Sequence, residues 1–245
     1  MIATAPILWF DSIDSTSEEA KRRAKSGDIS PVWIAAREQV KGKGRLGRTW
    51  VSPPGNLYIT ALFPEPNGIE VATRIPFAAA LAVSDICLGV LPDAPIRLKW
   101  PNDVRLNGAK LSGILTESGE TNGTLWVAVG IGINIRFVPE GAGQAATCLK
   151  DAGAPDVLGP EHLVDDLRTA LDARVAQARD RFDVTRSAWL ARAEALGQTV
   201  EAGPPDARVS GVFTGLADDG GLEMRLPDGS QKTIRAGDVD LVRKV

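Results

Sequence analysis

The chain has 245 residues, 44% hydrophobic and 24% charged, with a net charge of -3 and a pI near 5.4. That is enough chain for one large domain with a buried core and a smaller companion, and the acidic balance weighs against a protein built chiefly to hold nucleic acid. No uninterrupted apolar run of about 18 residues occurs and the opening Met-Ile-Ala-Thr-Ala-Pro carries no basic segment, so neither a membrane span nor a signal peptide is expected.

Ile7 to Phe10 reads as a first strand. Ser15 followed by Glu18 reads as a capping box opening a helix that stops at Gly27. Val32 to Arg37 is a second strand and Leu57 to Phe63 a third, of alternating character. Between them Gln39 to Trp50 packs the cations Lys41, Lys43, Arg45 and Arg48 with the glycines Gly42, Gly44 and Gly47. Glycine lets a backbone approach a ligand closely, and Lys and Arg supply donors for phosphate or carboxylate oxygens. An anion-gripping loop is expected, with a solvated basic turn as the alternative. Gly42 to Gly47 fits G-x-G-x-x-G, and Gly42 to Thr49 fits a P-loop except for Arg48. Both motifs require a helix directly after the glycines, and Trp50-Val51-Ser52-Pro53-Pro54-Gly55 cannot open one there. The loop must bind its anion by another geometry. Self-repulsion and little apolar area predict that it is mobile until a ligand orders it.

Glu70 to Leu91 reads as a long Ala-rich helix with Cys87 in its core. Ile96 to Trp100 returns to strand, and Pro101-Asn102-Asp103 turns it. Asn107-Gly108 and Asn122-Gly123 each predict a two-residue type I′ hairpin turn, placing Val104 to Leu106, Ala109 to Glu117 and Thr124 to Ile135 in strands, the last interrupted by close-approach glycines. A Gly/Ala/Pro-rich connection, Gly141 to Gly159, holds a short helix near Thr147 to Ala152. Leu163, Leu167, Leu171 and Val175, with Val164, Ala178 and Phe182, draw the apolar stripe of a further helix, and Trp189, Leu190 and Leu196 suggest another ending at Gly197. Beyond it, Thr199 to Glu201, Val209 to Leu216, Leu222 to Leu226, Lys232 to Arg235 and Val239 to Val242 alternate with Gly-rich turns, the pattern of a small β-barrel. The expectation is an α+β protein: a mixed-sheet domain over residues 1–197 and a barrel over 198–245.

Cys87 and Cys148 lack metal-ligand spacing and read as two reduced cysteines of a cytoplasmic protein. His162 is the only histidine, which excludes mechanisms needing two, such as H-E-x-x-H metalloproteases, and no G-x-S-x-G surrounds any serine. Chemistry is left to lysines, arginines and backbone donors.

Three stretches, taken together, resemble the biotin protein ligases. The family's G-R-G-R-x-G-R-x-W stands as Gly42-Lys43-Gly44-Arg45-Leu46-Gly47-Arg48-Thr49-Trp50, its K-W-P-N-D as Lys99 to Asp103, and its G-x-K-L-x-G-I-L as Gly108 to Leu115. Ser15-Thr16 matches its S-T-N, and Gly130-Ile131-Gly132-Ile133-Asn134 its G-x-G-x-N. The resemblance covers residues 7 to about 200 with the motifs in order, and the family also carries a small C-terminal SH3-like barrel. Two positions depart from it. Lys43 keeps the charge of the usual Arg but loses its planar fork, and Ser17 replaces the Asn of S-T-N.

The resemblance implies an ATP-dependent ligase that makes biotinyl-5′-AMP from biotin and ATP, with Mg²⁺, and passes biotin to a lysine of a biotin carboxyl carrier protein. Lys110 would lie against the biotin carboxylate and α-phosphate, with Arg45, Arg48 and Lys43 on phosphates and Trp50 over the adenine. Ser15, Thr16 and Gln39 would read the ureido ring, with Gly42, Gly113 and Gly132 lining its slot and Asn134 completing the matched strand. Asn102 and Asp103 would orient nucleotide or metal, or simply cap their turn; the metal ligands are left open. No DNA-reading domain is expected before Ile7. The resemblance allows a weak homodimer and leaves the oligomeric state open. The alternatives are a lipoate or octanoate ligase on the related fold, whose histidine near the acyl site has no counterpart in the motif region, and a non-catalytic nucleic-acid binder.

Overall fold

A computed structural model of the chain describes residues 2–138 and 145–242. Strands β1 (Ile7–Ile13), β2 (Val32–Gln39), β3 (Leu57–Pro64), β4 (Ile96–Lys99), β5 (Asp103–Leu106), β6 (Ala109–Thr121) and β7 (Thr124–Ile133) form one sheet in the order β1-β2-β3-β7-β6-β5-β4. β1 and β2 are parallel, and all other neighbours in this sheet are antiparallel. Both Asn-Gly pairs turn as expected: φ is 51° and 74° at Asn107 and Gly108, and 50° and 76° at Asn122 and Gly123, the two successive positive values of a type I′ hairpin.

The two-residue period of the strands assigns each side chain to a face. In β7, Val127, Val129, Ile131 and Ile133 join the main core with helix α2 (Ile69–Val90) and helix α3 (Pro160–Asp180). Trp126 and Ala128 point the other way, onto Ala20 and Ala24 of helix α1 (Thr16–Lys25). Gly130 continues that second row under the first turn of α1, against Ser17, and Gly132 continues it beyond the start of that helix, so this face of the sheet loses its covering helix and its side chains together. A cavity is left there. Strand β3 is buried on both faces rather than alternating, because Leu57, Ile59, Ala61 and Phe63 pack on the α2 side while Leu62 packs under α1.

By length and composition α2 could cross a membrane, yet 72% of its apolar window is buried within the protein. Its Phe77 meets Trp189 of helix α4 (Phe182–Ala191) edge-on at 5.5 Å and Phe182 at 6.3 Å, contacts worth about 0.5–1.5 kcal/mol each beyond the area they bury. The last helix therefore ends at Ala191 rather than Gly197; Ala193 beyond it bridges to Leu98 on β4. Residues 141–144 of the Gly-rich connection lie outside the described residues, and the short helix expected after them is only a 3₁₀ turn, Lys150–Ala152.

Strands β8 (Thr199–Gly203), β9 (Val209–Leu216), β10 (Leu222–Arg225), β11 (Gln231–Ile234) and β12 (Asp238–Leu241) make a second, antiparallel sheet in the order β11-β10-β9-β8-β12. Its Phe213, Leu216, Leu222 and Met224 belong to the same apolar core as α2. Two residues of the Lys99 to Asp103 motif fasten the sheets together: Trp100 Nε1 donates to the Gly220 carbonyl at 3.0 Å and Lys99 Nζ to Asp240 Oδ1 at 3.0 Å.

Candidate active site

The cavity on the α1 face has a volume of about 380 Å³ and is lined by the β1–α1 turn, the basic loop, the β4–β5 turn, β6 and β7, with single residues from β3 and β12. Of the residues singled out from the sequence, Ser15, Thr16, Gln39, Lys43, Arg45, Arg48, Trp50, Asn102, Asp103, Lys110, Gly113, Gly132 and Asn134 all line it. They come from positions up to 119 residues apart, counting from Ser15 to Asn134, and only the sheet order brings them together.

Gly42 is the exception. A Cβ there would lie 2.2 Å from the Trp50 carbonyl oxygen and 2.6 Å from Ser52 Oγ, so its missing side chain makes room for the loop's own backbone rather than for a ligand. Of the three glycines expected to line a slot, Gly113 and Gly132 line the cavity, joined by Gly130, and Gly42 does not.

At the closed end, Ser15 begins α1 but caps nothing with its side chain. The capping box expected of Ser15 and Glu18 is absent, because Glu18 pairs with Lys21 at 2.6 Å and with Lys43. The Thr16 N–H and Thr16 Oγ1 both donate to Gln39 Oε1, at 2.9 and 3.1 Å. Since a backbone N–H can only donate, this fixes which way round the Gln39 amide sits. Ser17, the residue that departs from the S-T-N pattern, is 6% exposed and packs against Gly130, with Oγ 3.3 Å from Thr60 Oγ1.

Each cation at the open end has a carboxylate. Lys110 Nζ is 2.7 Å from Asp103 Oδ1 and 5.4 Å from the centroid of the Trp50 ring. Arg45 donates to Asn102 Oδ1 at 3.1 Å, to Asp238 Oδ1 at 3.4 Å and to the Gly237 carbonyl at 3.1 Å. Arg48 pairs with Asp238 Oδ2, and Lys43 with Glu18. Burial draws the Arg45 guanidinium below its ordinary pKa, opposed by the charges of Asp238 and Asp103. Asn102 turns its amide nitrogen to the Ile114 carbonyl at 2.5 Å, locking the turn after β4 as well as holding Arg45.

The basic loop is not left without structure. Gly44 N–H donates to the Arg48 carbonyl at 2.7 Å and Trp50 N–H to the Gly42 carbonyl at 2.9 Å, closing a small hairpin whose tip holds Leu46 and Gly47 at φ of 55° and 74°. Ligand is thus not its only source of order, contrary to the expectation from composition. Trp50 lies across the floor: a Cβ on Gly132 or Gly113 would come within 2.6 or 2.9 Å of its ring.

Asp238 also lines the cavity, with no signal in its local sequence to mark it. It sits in a Gly-rich turn region of the second sheet, 190 residues from Arg48, and only the docking of the two sheets delivers it to the cavity. Tyr58 lines the cavity from β3, and its position next to the inward row of that strand is the signal that marks it. His162 accepts the Gly159 N–H at Nδ1, 3.0 Å away, and so closes the first turn of α3 far from the cavity lining.

Residues 9–134 match the biotin/lipoate A/B protein ligase family, and residues 195–242 match the biotin protein ligase C-terminal domain. The chain is 40% identical to the biotin--[acetyl-CoA-carboxylase] ligase of Paracoccus denitrificans, over 89% of this chain and 93% of that one. The chain belongs to the biotin protein ligase family. It is also 33% identical to the biotin--[acetyl-CoA-carboxylase] ligase of Mycobacterium tuberculosis, over 92% of this chain and 85% of the other. Among solved structures, the biotin protein ligase from Aquifex aeolicus in complex with biotin and ATP is 28% identical, covers 98% of this chain and 99% of its own, and superposes with a TM-score of 0.81. The ligase fold is the α+β arrangement expected: a mixed sheet with helices and a small C-terminal antiparallel sheet.

The substrates that go with this family are biotin and ATP, and the ATP comes with Mg²⁺. Among the described residues no group of three or more His, Cys, Asp or Glu side chains could hold a metal, and the two carboxylates lining the cavity, Asp103 and Asp238, already face cations. The described residues offer no cage, which suits an ion carried in on the phosphates of its substrate.

Proposed function

We infer that this enzyme joins biotin to a carrier protein in two steps within the one cavity. A carboxylate oxygen of biotin attacks the α-phosphorus of ATP, forming biotinyl-5′-AMP as the bond to pyrophosphate breaks. The amine of a carrier lysine then attacks the anhydride carbonyl, forming the amide and releasing AMP. The first step presses two anions together, and two unit charges about 4 Å apart repel by about 4 kcal/mol at an effective dielectric near 20. Fixed cations offset that repulsion without having to reorganise.

The observation that carries this reading is the separation of neutral from charged groups around the cavity. The neutral groups of Thr16 and Gln39 are hydrogen-bonded to each other beside Ser15, whereas Arg45, Arg48 and Lys110 form a separate charged group linked through Asp238, Asn102 and Asp103. A molecule with a neutral ring at one end and a carboxylate at the other fits that division, and the carboxylate arrives where the phosphates are held. Lys110 stands between the two reacting anions in this assignment, and Asp103 keeps its ammonium aimed until they arrive. Arg45, Arg48 and Lys43 take the phosphates, exchanging Asp238 and Glu18 for them. Trp50 leaves the floor glycines when biotin enters and covers the nucleotide. Ser15, Thr16 and Gln39 hold the ureido ring; Gly113 and Gly132 flank it.

The partner in this reading is the biotin carboxyl carrier protein or domain of a biotin-dependent carboxylase, and the setting is the cytoplasm. We also propose that the catalytic unit ends near Gly197, with the second sheet, in the role of a small barrel, supplying Asp238 to the active site. The deciding test is exchange of label between pyrophosphate and ATP. It is expected with biotin and absent with lipoate or octanoate; exchange with an eight-carbon acid and none with biotin overturns the assignment.

A further inference from the structure

Ser52 lies just past the basic loop, is 4% exposed, and does not line the cavity. Its hydroxyl nonetheless joins the cavity's closed end to the loop that covers it. Gln39 Nε2 donates to Ser52 Oγ at 2.9 Å, and Ser52 Oγ donates onward to the Trp50 carbonyl at 2.8 Å. The backbones are joined at the same place, with Gln39 N–H donating to the Ser52 carbonyl at 3.2 Å.

The donors and acceptors in this chain have no freedom to reverse. Thr16 N–H fixes Gln39 Oε1 on its own side, so the amide nitrogen must face Ser52. Ser52 Oγ receives one hydrogen there, and its single hydroxyl hydrogen goes to the Trp50 carbonyl, the one acceptor it meets among the described residues. Thr60 Oγ1 extends the chain at the other end, donating to Thr16 Oγ1 at 2.8 Å. One continuous path thus runs from β3 through Thr16, Gln39 and Ser52 to the backbone of Trp50. Gly42 packs against its last link: a Cβ there would strike both the Trp50 carbonyl and Ser52 Oγ.

We propose that Ser52 is a positioning residue for biotin, acting through Gln39. The inference rests on the reading of the cavity as a biotin and ATP site. Loss of the hydroxyl leaves the Gln39 amide nitrogen short of a partner in a confined space, so the amide that reads the ureido ring loses its fixed geometry, while the Trp50 backbone stays held by its N–H bond to the Gly42 carbonyl. The phosphate-binding cations do not depend on this chain, since Arg45 and Arg48 are held by Asp238 and Lys43 by Glu18. The defect is therefore confined to biotin.

The test uses the full-length enzyme in biotin-dependent pyrophosphate exchange, with KM for biotin and KM for ATP measured separately. Ser52→Ala is expected to raise KM for biotin about tenfold and to leave KM for ATP within about twofold. Gln39→Ala is expected to do at least as much, and Ser52→Ala added to Gln39→Ala to do no more than Gln39→Ala alone, because a residue that acts through another has no separate effect once that other is gone. Ser52→Cys keeps the size of the side chain with a weak donor and acceptor; it should reproduce the Ala defect in a folded protein and carries the test if Ser52→Ala does not fold. Equal increases in both KM values, additive effects in the double variant, or a Cys variant that binds biotin normally each overturn the proposal. If the unmodified enzyme shows no biotin-dependent exchange, the ligase reading falls and this one with it; if it exchanges and the split is missing, only the role of Ser52 falls.

Discussion

The side of the cavity around Lys110 and Asn134, its floor, is held by a hydrogen-bonded ladder, whereas the lid, residues 39–52, has a hydrogen-bonded backbone but holds its three cavity-lining cations by pairs of opposite charge. On the floor, Lys110 is clamped through its backbone on both sides, its N–H donating to the Ala145 carbonyl and its carbonyl accepting from Thr147 N–H, each at 2.9 Å. Asn134 repeats the pattern, donating N–H to the Leu111 carbonyl at 2.9 Å and its amide nitrogen to Thr147 at 3.0 Å. On the lid, Lys43, Arg45 and Arg48 are anchored through their charged ends to Glu18 and Asp238. A ladder keeps its geometry whether or not a ligand is present. A cation-carboxylate pair can be exchanged for a cation-phosphate pair at little net cost, because one anion replaces another. The floor is thus suited to the group that must be in place before the reaction begins, and the lid to groups that must change partners during it.

The largest effect should follow from removing the floor's charge. Lys110→Ala is expected to lower the rate of ligation about a hundred- to a thousandfold, some 2.7–4 kcal/mol, the typical loss for one donor aimed at charge growing in a transition state. The ladder does not involve the side chain, so far-ultraviolet circular dichroism and the thermal midpoint should stay near those of the parent. Near-normal turnover at saturating biotin and ATP, or an unfolded variant, would show that the ammonium serves the fold and not the reaction.

Breaking the lid should cost less and act on a different substrate. Arg45→Ala removes charge-assisted hydrogen bonds worth about 1.5–3 kcal/mol, and should raise KM for ATP roughly tenfold to a hundredfold while KM for biotin changes little. Asp238→Ala leaves the phosphate-binding groups intact but unties them in the absence of ligand. Trypsin should then cut after Arg45 and Arg48 several times faster than in the parent, and biotin with ATP should restore protection in both. Equal rates of cutting in parent and variant would mean that the internal bonds from Gly44 to Arg48 and from Trp50 to Gly42 hold the lid by themselves.

The same contrast explains what could be read from the sequence. Floor residues announce themselves locally: the Asn107-Gly108 turn fixes the register of β6, and Gly130 and Gly132 stand out within an otherwise apolar strand, so Lys110, Gly113 and Gly132 were legible together. The helix end at Gly197 was misplaced because Leu196 fits a helical stripe on spacing, whereas the chain after Ala191 instead runs alongside β4. Ser15 and Glu18 had the spacing of a capping box, but Glu18 has a stronger claim on it from Lys21 and Lys43, and spacing along one helix cannot register a cation from another segment. Asp238 was invisible for the same reason: its partners Arg45 and Arg48 lie in the basic loop, far away in sequence, and nothing in its Gly-rich surroundings distinguishes it from an ordinary turn aspartate.

The smallest effect is expected where the two halves meet, at the turn between β1 and α1. Asp14 Oδ1 accepts the Ser15 N–H at 2.7 Å, and its carboxylate takes both ends of the Arg22 guanidinium, at 2.6 and 2.9 Å. Its carbonyl accepts the Lys41 N–H at 2.9 Å, so the turn that presents Ser15 and Thr16 also supports the base of the lid. The Arg22 hydrogen bonds, with help from Ser15, hold the Asp14 pKa down at about 2, against an ordinary 3.8. A carboxyl depressed in the folded state contributes stability above its unfolded value and loses it as pH falls through the folded one; here that window runs from about pH 4 down to about pH 2. Both side chains are more than a third exposed, 49% for Arg22 and 37% for Asp14, so screening limits the pair to about 0.5 kcal/mol. Asp14→Asn keeps an acceptor for Ser15 and removes only the charge. It should lower the thermal midpoint by about 1–2 °C at pH 7, and the difference from the parent should shrink as pH is brought from 5 toward 3, as well as on adding about 1 M salt. A difference that stays constant over that pH range would mean that the turn depends on the shape of the side chain at position 14 and not on its charge.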